Sequence, residues 1–208
     1  MALIATIVGV FVLLVGSEVW FRHHRPKNEF SRKFIHIVVG SLAASWPFYL
    51  SWTEIMVLSA AFIVVVSISK YFDIFKAIHA VERPTMGEIY FALAVGLLAF
   101  ITHQPWVYAV ALLHMSLADG LAAVMGVTYG KSSRYQVFGH TKSVIGSLTF
   151  LVVSIGLLGL FSWVAVPLSI GMVIMLAAGS TLLENLGGNG LDNLLVPLVV
   201  GAVLHSAV

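Results

Sequence analysis

The sequence contains no cysteine and very little charge. Only 10% of its 208 residues are Asp, Glu, Lys or Arg, whereas an ordinary soluble domain carries roughly 25%. The lack of cysteine excludes disulfides, thiolate nucleophiles and cysteine-ligated metal sites. The low charge, the 60% hydrophobic content and a mean hydropathy of +1.01 leave no room for a separate soluble domain. They indicate an integral membrane protein.

Long apolar runs follow one another along the chain, and they are continuous instead of alternating with a period of two. This pattern favours membrane helices over a β-barrel. We predict one all-α, polytopic domain over residues 1–208, with about eight spans, or seven if one of the two short runs does not cross. The first run precedes its basic cluster, so we expect a retained span instead of a cleaved signal peptide. The predicted spans are Ala2–Phe21, Phe34–Trp52, Glu54–Ser69, Gly87–Ile101, Pro105–Val127, Val144–Phe161, Val164–Leu183 and Leu191–Ala207.

The basic residues are concentrated in a few places. All eleven Lys and Arg residues fall within residues 22–33, 70–83 and 131–142, and a pair of predicted spans separates each group from the next. The three groups therefore lie on one face, which the positive-inside rule makes cytoplasmic. We expect cytoplasmic loops near residues 22–33, 70–86, 129–143 and 184–190, and both termini outside.

The acidic residues show a second asymmetry. Glu88, Glu184 and Asp192 lie at the cytoplasmic ends of predicted spans, and Asp119 lies inside the fifth. A carboxylate in the hydrocarbon layer costs about 2.5–3.5 kcal/mol on insertion scales, so such residues usually face a wet cavity. Carboxylates bind Mg²⁺ together with substrate phosphates, and Lys or Arg neutralises phosphate charge. A nucleoside triphosphate with its metal would fit, although basic loops also arise from topology alone.

Two familiar sites are excluded by spacing. The glycines in Gly126–Ser132 stand one residue too close for a P-loop, and a membrane helix precedes them instead of a strand. These glycines are better explained by close helix packing or by the end of the fifth helix. The eight histidines form no compact ligand set, so zinc is not expected.

Five short motifs occur in an order that resembles the polyprenol kinase family, which includes CTP-dependent dolichol kinases and the phytol and farnesol kinases. Each motif is weak alone, and the resemblance covers the chain from about Ser31 onward. The motifs are Ser31-Arg32-Lys33 with His36; Arg83-Pro84 with Gly87-Glu88; Ala118-Asp119-Gly120 with Gly126 and Gly130; Gly139-His140-Thr141-Lys142-Ser143 with Gly146; and Glu184 followed by Asp192-Asn193 and Pro197.

The resemblance implies a membrane enzyme that transfers the terminal phosphoryl group of a nucleoside triphosphate, typically CTP, to an isoprenoid alcohol with Mg²⁺ or another divalent cation. Its partners would be the lipid alcohol, the nucleotide and membrane lipids, with no nucleic acid. Small-residue helix faces would permit a homo-oligomer. Phosphoryl transfer chiefly needs positioning and charge neutralisation, which a few carboxylates, a metal and one or two cations supply.

On this resemblance Asp119 is the first catalytic candidate, as a Mg²⁺ ligand or as the base that accepts the alcohol proton. Lys142 and Ser143 precede Gly146 at the start of the sixth helix, where unpaired N–H groups favour an anion. Lys142 is therefore expected to bind phosphate. Gly120, Gly126 and Gly130 would let phosphate or a neighbouring helix approach the backbone.

The second span and the helix ends supply the other candidates. Arg32 and His36 are four residues apart and share a helix face. Arg32 or Lys33 is assigned to phosphate, and His36 to orientation or proton handling. The metal or ribose candidates are Glu88 and Glu184, with Asp192 a further metal candidate. Further polar candidates are Asn193, which follows the Gly187–Gly190 turn, and His140.

Three alternatives compete with a lipid kinase. A cytidylyltransferase that makes a CDP-lipid resembles the chain around Asp119 and Lys142. Its charged C-terminal signature is missing here, because no Lys or Arg follows Lys142. A small transporter should show repeated or broken spans in its two halves, and the sequence shows no convincing repeat. The third alternative is a noncatalytic membrane subunit.

Overall fold

The computed structural model describes residues 1–24, 29–72 and 86–208. The predicted cytoplasmic segments near 22–33 and 70–86, including Arg83 of the second motif, lie partly outside this range. Within it, eight long helices form a bundle. They are α1 (Ala2–His24), α2 (Glu29–Ser45), α3 (Trp52–Phe72), α4 (Gly87–Ile101), α5 (Pro105–Tyr129), α6 (Val144–Val164), α7 (Ile170–Leu186) and α8 (Asp192–Ala207).

Each predicted apolar segment coincides with one of these helices. Four helices are long and apolar enough to cross a membrane, namely α1, α3, α5 and α6, and α4, α7 and α8 are shorter apolar helices. Many of their large apolar side chains are exposed, as expected when lipid replaces water around the bundle. The prediction of an all-α membrane protein is confirmed.

The two largest differences from the predicted helix boundaries, at the end of the second helix and the start of the seventh, are both explained by proline. The second helix ends at Ser45 because Pro47 lies in a short 3₁₀ turn, Trp46–Phe48, before α3 begins. The seventh helix begins at Ile170 because Pro167 interrupts the apolar run. Proline lacks the N–H that a helix interior needs and disfavours a helical residue before it.

Helix α5 is the central element of the bundle. It packs against α2, α6 and α8, and Tyr108, Leu112 and Met115 are completely buried. A π-helical turn, His114–Ala118, interrupts its α-helical hydrogen bonding. Such turns are rare and occur mostly at functional sites. This one ends immediately before Asp119.

The segment predicted as a loop near 129–143 contains a β-hairpin. Strands β1 (Arg134–Val137) and β2 (His140–Ser143) pair antiparallel, with Tyr135 opposite Lys142. Phe138 and Gly139 have φ values of 46° and 81°, as a two-residue type I′ turn requires. The hairpin leads directly into α6, so its second strand fixes Lys142 beside the start of that helix.

Candidate active site

Three carboxylates from three different helices meet at one end of the bundle. Asp119 follows the π turn of α5, Glu184 lies in the last turn of α7, and Asp192 begins α8. One oxygen from each lies within 4.8 Å of the others. Asp119 and Glu184 are each only 5% exposed. Because like charges repel strongly when buried, this arrangement needs cations nearby.

Two lysines supply those cations. Lys33 Nζ of α2 lies 2.5 Å from Asp119 Oδ2. Lys142 Nζ lies 2.5 Å from Glu184 Oε1, donates to the Glu184 backbone carbonyl at 2.8 Å, and lies 4.0 Å from Asp192 Oδ2. We name these five residues the carboxylate–lysine cluster. Its three acids and two lysines leave a formal charge of −1.

Lys142 remains an ammonium in this setting. Burial acts to lower the pKa of Lys142, but the carboxylates of Glu184 and Asp192 more than compensate, and the pKa is raised above its usual value. The lysine therefore keeps its positive charge at neutral pH and can bind an anion.

His36 lies beside the cluster, one turn beyond Lys33 on α2. Its Nε2 is 3.1 Å from the carbonyl of Met115, to which it donates, and 3.9 Å from Asp119 Oδ2. Its ring also meets Phe91 edge to face, with centroids 5.3 Å apart. The π turn therefore brings two groups of α5, the Met115 carbonyl and the Asp119 carboxylate, close to the same imidazole nitrogen of His36.

A cleft opens next to His36. One part of its lining is polar and adjoins the cluster, and the remainder is apolar. Glu88 and Asn193, two of the predicted candidates, belong to the polar part of this lining. The lining residues are Leu14, Lys33, Ile35, His36, Val39, Phe62, Gly87, Glu88, Phe91 and Asn193.

The glycine turn before α8 packs against the start of α4. Asn189 and Gly190 have φ values of 54° and 84°, a conformation that glycine adopts without strain. The Asn189 carbonyl accepts from the backbone N–H of Met86 at 3.3 Å. Asn193 Nδ2 donates to the carbonyl of Gly87 at 3.1 Å. His140 packs on Gly188, where a Cβ would lie 2.7 Å from the imidazole Cδ2.

The predicted phosphate-site glycines lie at helix contacts. A Cβ on Gly126 would lie 2.8 Å from Ser143 Oγ, and one on Gly146 would lie 3.1 Å from the Ala122 carbonyl oxygen. Gly130 ends α5 against Ser143 in the same contact between α5 and α6. Gly120 packs on a side chain of α2, and Ser143 caps α6 by accepting from the Gly146 N–H at 3.1 Å.

The structure therefore gathers most, but not all, of the predicted residues. Lys33, Asp119, Lys142, Glu184 and Asp192 form the cluster, with His36 adjoining it. Arg32 lies in α2, and its side chain is outside the described part of the structure.

The polar contact that fixes the hairpin was not predicted from the sequence. The Tyr135 hydroxyl donates to Asn185 Oδ1 and contacts Ser147 Oγ at 2.6 Å, and Ser147 donates to the same Asn185 oxygen at 2.8 Å. Tyr135 faces Lys142 across the hairpin, and Asn185 follows Glu184. This contact therefore holds Lys142 against Glu184. Recognising the two strands would have revealed the Tyr135–Lys142 pair.

The donor set suits a divalent cation. Mg²⁺ prefers oxygen ligands at about 2.0–2.1 Å, so opposite ligands of one ion lie roughly 4.2 Å apart. The oxygens of Asp119, Glu184 and Asp192 span up to 4.8 Å, so a displacement of less than about an ångström would bring all three to one ion.

Comparison with known proteins identifies the family. No protein-family model and no solved structure matches this chain. A phytol kinase from Synechocystis sp. is 33% identical over 207 residues, an alignment that covers 94% of this chain and 86% of the relative. The resemblance predicted from the motifs is confirmed. The chain therefore belongs to the polyprenol kinase family, whose members are membrane enzymes that phosphorylate isoprenoid alcohols.

Proposed function

We propose that this protein transfers the γ-phosphoryl group of CTP to phytol or a related isoprenoid alcohol, with Mg²⁺ as cofactor, at the cytoplasmic face of the membrane. The observation that carries the proposal is the position of the carboxylate–lysine cluster next to a cleft with an apolar interior. A charged nucleotide and a lipid with a polar end can meet at such a boundary. The name of the Synechocystis relative supports phytol as the acceptor.

The cluster would bind the nucleotide and its metal. Asp119, Glu184 and Asp192 would hold Mg²⁺, which when bound would neutralise charge on the phosphates. Lys33 and Lys142 would bind the phosphate oxygens as charged donors. Arg32 and the capped first turn of α6 at Ser143 would complete the anion site, since N–H groups at a helix start attract phosphate.

His36 would act on the acceptor. It lies between the cluster and the cleft, so an alcohol whose chain fills the cleft would present its hydroxyl near this imidazole. The hydroxyl oxygen would attack the γ-phosphorus while the bond to the β-phosphate oxygen breaks. His36 would take the hydroxyl proton on Nδ1, because its Nε2 already carries the proton that it donates to Met115. The products would be the alkyl phosphate and a nucleoside diphosphate.

The proposed sidedness follows from charge. The start of α2, the hairpin, the end of α7 and the start of α8 all contribute to the site, and the hairpin belongs to a basic segment. The positive-inside rule places that end in the cytoplasm, where nucleotides are available, with both termini outside.

A labelled-nucleotide assay tests the proposal. Purified protein in detergent is incubated with Mg²⁺, each labelled nucleoside triphosphate, and phytol, farnesol, geranylgeraniol, a long polyprenol or phosphatidate. We expect γ-label from CTP in phytol or another isoprenoid alcohol. Label from the α-position in a CDP-lipid would instead identify a cytidylyltransferase, and label from ATP alone would exclude CTP as the donor.

A further inference from the structure

We infer that the cleft between α1, α2, α3 and α4 binds the isoprenoid chain of the acceptor, and that Phe62 at its apolar end sets the chain length that the enzyme accepts. This inference rests on the proposed function, and it adds a specificity residue that neither the motifs nor the ion pairs indicate.

The cleft changes from polar to apolar along its length. Four residues of α2 line the cleft, namely Lys33, Ile35, His36 and Val39. Of these, Lys33, His36 and Val39 share one helix face and span about 9 Å at 1.5 Å per residue. On α4 the polar Glu88 is followed one turn later by Phe91. Both helices therefore place charge at the cluster end and hydrocarbon one or two turns deeper.

A series of rings connects the reacting end to the middle of the bundle. The His36 and Phe91 rings meet at 5.3 Å, and the Phe91 and Phe62 rings meet at 6.3 Å, both edge to face. Phe62 lies ten residues before the end of α3 at Phe72, about 15 Å along the helix axis. Phe62 is thus the last ring of this series, two ring contacts away from His36.

Helix α1 covers the same deep region. Most of its large apolar side chains are exposed, including Phe11, which is 60% exposed, but Leu14 is only 6% exposed and lines the cleft. Leu14 lies near the middle of α1 and lines the same cleft as Phe62 of α3. The deep end of the cleft is therefore bounded by Leu14, Val39 and Phe62, which are all hydrocarbon.

An isoprenoid chain is the occupant that fits this lining. Among the lining residues that the structure describes, Lys33 is the only cation, and it lies at the cluster end. A nucleotide base or phosphate would find no polar side chain among Leu14, Val39 and Phe62, the lining residues at the apolar end.

Changing the size of residue 62 tests the inference. Geranylgeraniol is one isoprene unit longer than farnesol, so we compare kcat/KM for the two alcohols. Phe62→Leu should raise the geranylgeraniol-to-farnesol ratio about tenfold relative to wild type, and Phe62→Trp should lower it by a similar factor, because a misfit of methylene size is worth about that much. Phe100→Leu, a change on the exposed face of α4, should leave the ratio unchanged. Equal ratios in all four proteins would overturn the assignment of Phe62.

Photolabelling gives a readout that does not require turnover. A farnesol analogue with a diazirine at its tail is irradiated with wild-type protein without nucleotide, and the adduct is located by peptide mass spectrometry. We expect adducts on α1 or α3 near Leu14 and Phe62, and competition by unlabelled geranylgeraniol. Adducts only on α6 and α7 would refute the chain site even in an enzyme that phosphorylates alcohols. Adducts in the cleft of a protein without kinase activity would refute the proposed function and leave the chain site standing.

Discussion

Removing Lys33 should destabilise the protein more than removing the charge of Asp119, although the two residues form one ion pair. The side chains are only 12% and 7% exposed, so the pair resembles a buried bridge more than a surface one. Breaking a fully buried bridge costs about 3–5 kcal/mol, whereas exposed pairs contribute about 0–1 kcal/mol. The difference between the two variants comes from the rest of the cluster.

The charge of the cluster sets the order of stability. Lys33→Met leaves three carboxylates with one ammonium group, a formal charge of −2, whereas Asp119→Asn leaves two of each and a neutral cluster. We expect a loss of about 3 kcal/mol for Lys33→Met and about 1 kcal/mol for Asp119→Asn. For a chain of this size these values correspond to melting temperatures lower by roughly 6–12 °C and 2–4 °C. The double variant keeps the wild-type charge of −1, so it should melt above Lys33→Met.

The three variants should rank differently in kinase activity than in stability. Each single variant should lose about 10²–10³-fold in kcat, because each removes a group that neutralises charge in phosphoryl transfer. The double variant should stay inactive despite its recovered stability. Thermal unfolding in detergent and γ-label transfer measure the two properties on the same preparations. Lys131→Met, on an exposed turn, and Glu54→Gln, at the start of α3, serve as matched controls.

Two results would refute this reasoning. If Asp119→Asn melts well below Lys33→Met, the excess negative charge of the cluster does not govern its stability. Wild-type turnover in Asp119→Asn would remove this carboxylate from the mechanism, whatever the stability data show.

Three further perturbations test the surroundings of the cluster. Tyr135→Phe should lower kcat/KM for the nucleotide about tenfold, because the hairpin that carries Lys142 loses its polar contacts to α6 and α7. Thr141→Val, on the exposed side of the same hairpin, should leave kcat/KM unchanged. An equal loss of kcat/KM in both variants would contradict a positioning role for Tyr135. EDTA should abolish γ-label transfer and added Mg²⁺ should restore it, so undiminished activity in EDTA would exclude the metal. Gly146→Val should reduce the yield of folded protein on size-exclusion chromatography, since even a Cβ at residue 146 would lie 3.1 Å from the Ala122 carbonyl oxygen. A normal yield of folded protein would show that α5 and α6 can separate at this contact.

The helices could be predicted from sequence because the membrane makes hydropathy the dominant signal. Continuous apolar runs predicted all eight, and the largest boundary shifts are those near Pro47 and Pro167. The hairpin was missed because its turn is Phe138-Gly139 instead of the common Asn-Gly, and because a segment between two spans has no hydropathy signature for strands.

The candidate residues could be named from the sequence, but their pairing could not. Motif order and the cost of buried charge selected Lys33, Asp119, Lys142, Glu184 and Asp192. Which lysine meets which acid depends on how α2, α5, α7 and the hairpin pack, and no periodicity encodes that. The apolar lining of the cleft could not be predicted for the same reason, since the lining residues come from five helices.

The composition of the cluster explains how a site for a charged nucleotide can fold before the nucleotide binds. Three buried carboxylates in a membrane protein would repel one another, and the two ammonium groups of Lys33 and Lys142 reduce that repulsion in the absence of any ligand. Their combined charge equals that of one Mg²⁺ ion. In the proposed function, Lys33 and Lys142 would leave their carboxylate partners to bind phosphate. The Mg²⁺ that accompanies the nucleotide would then neutralise those carboxylates.

Substituting either lysine should consequently increase the stabilisation that Mg²⁺ alone gives the protein, and thermal unfolding with and without Mg²⁺ measures this directly. A smaller Mg²⁺ effect in both Lys33→Met and Lys142→Met than in wild type would show that the lysines and the metal do not compete for the same carboxylates.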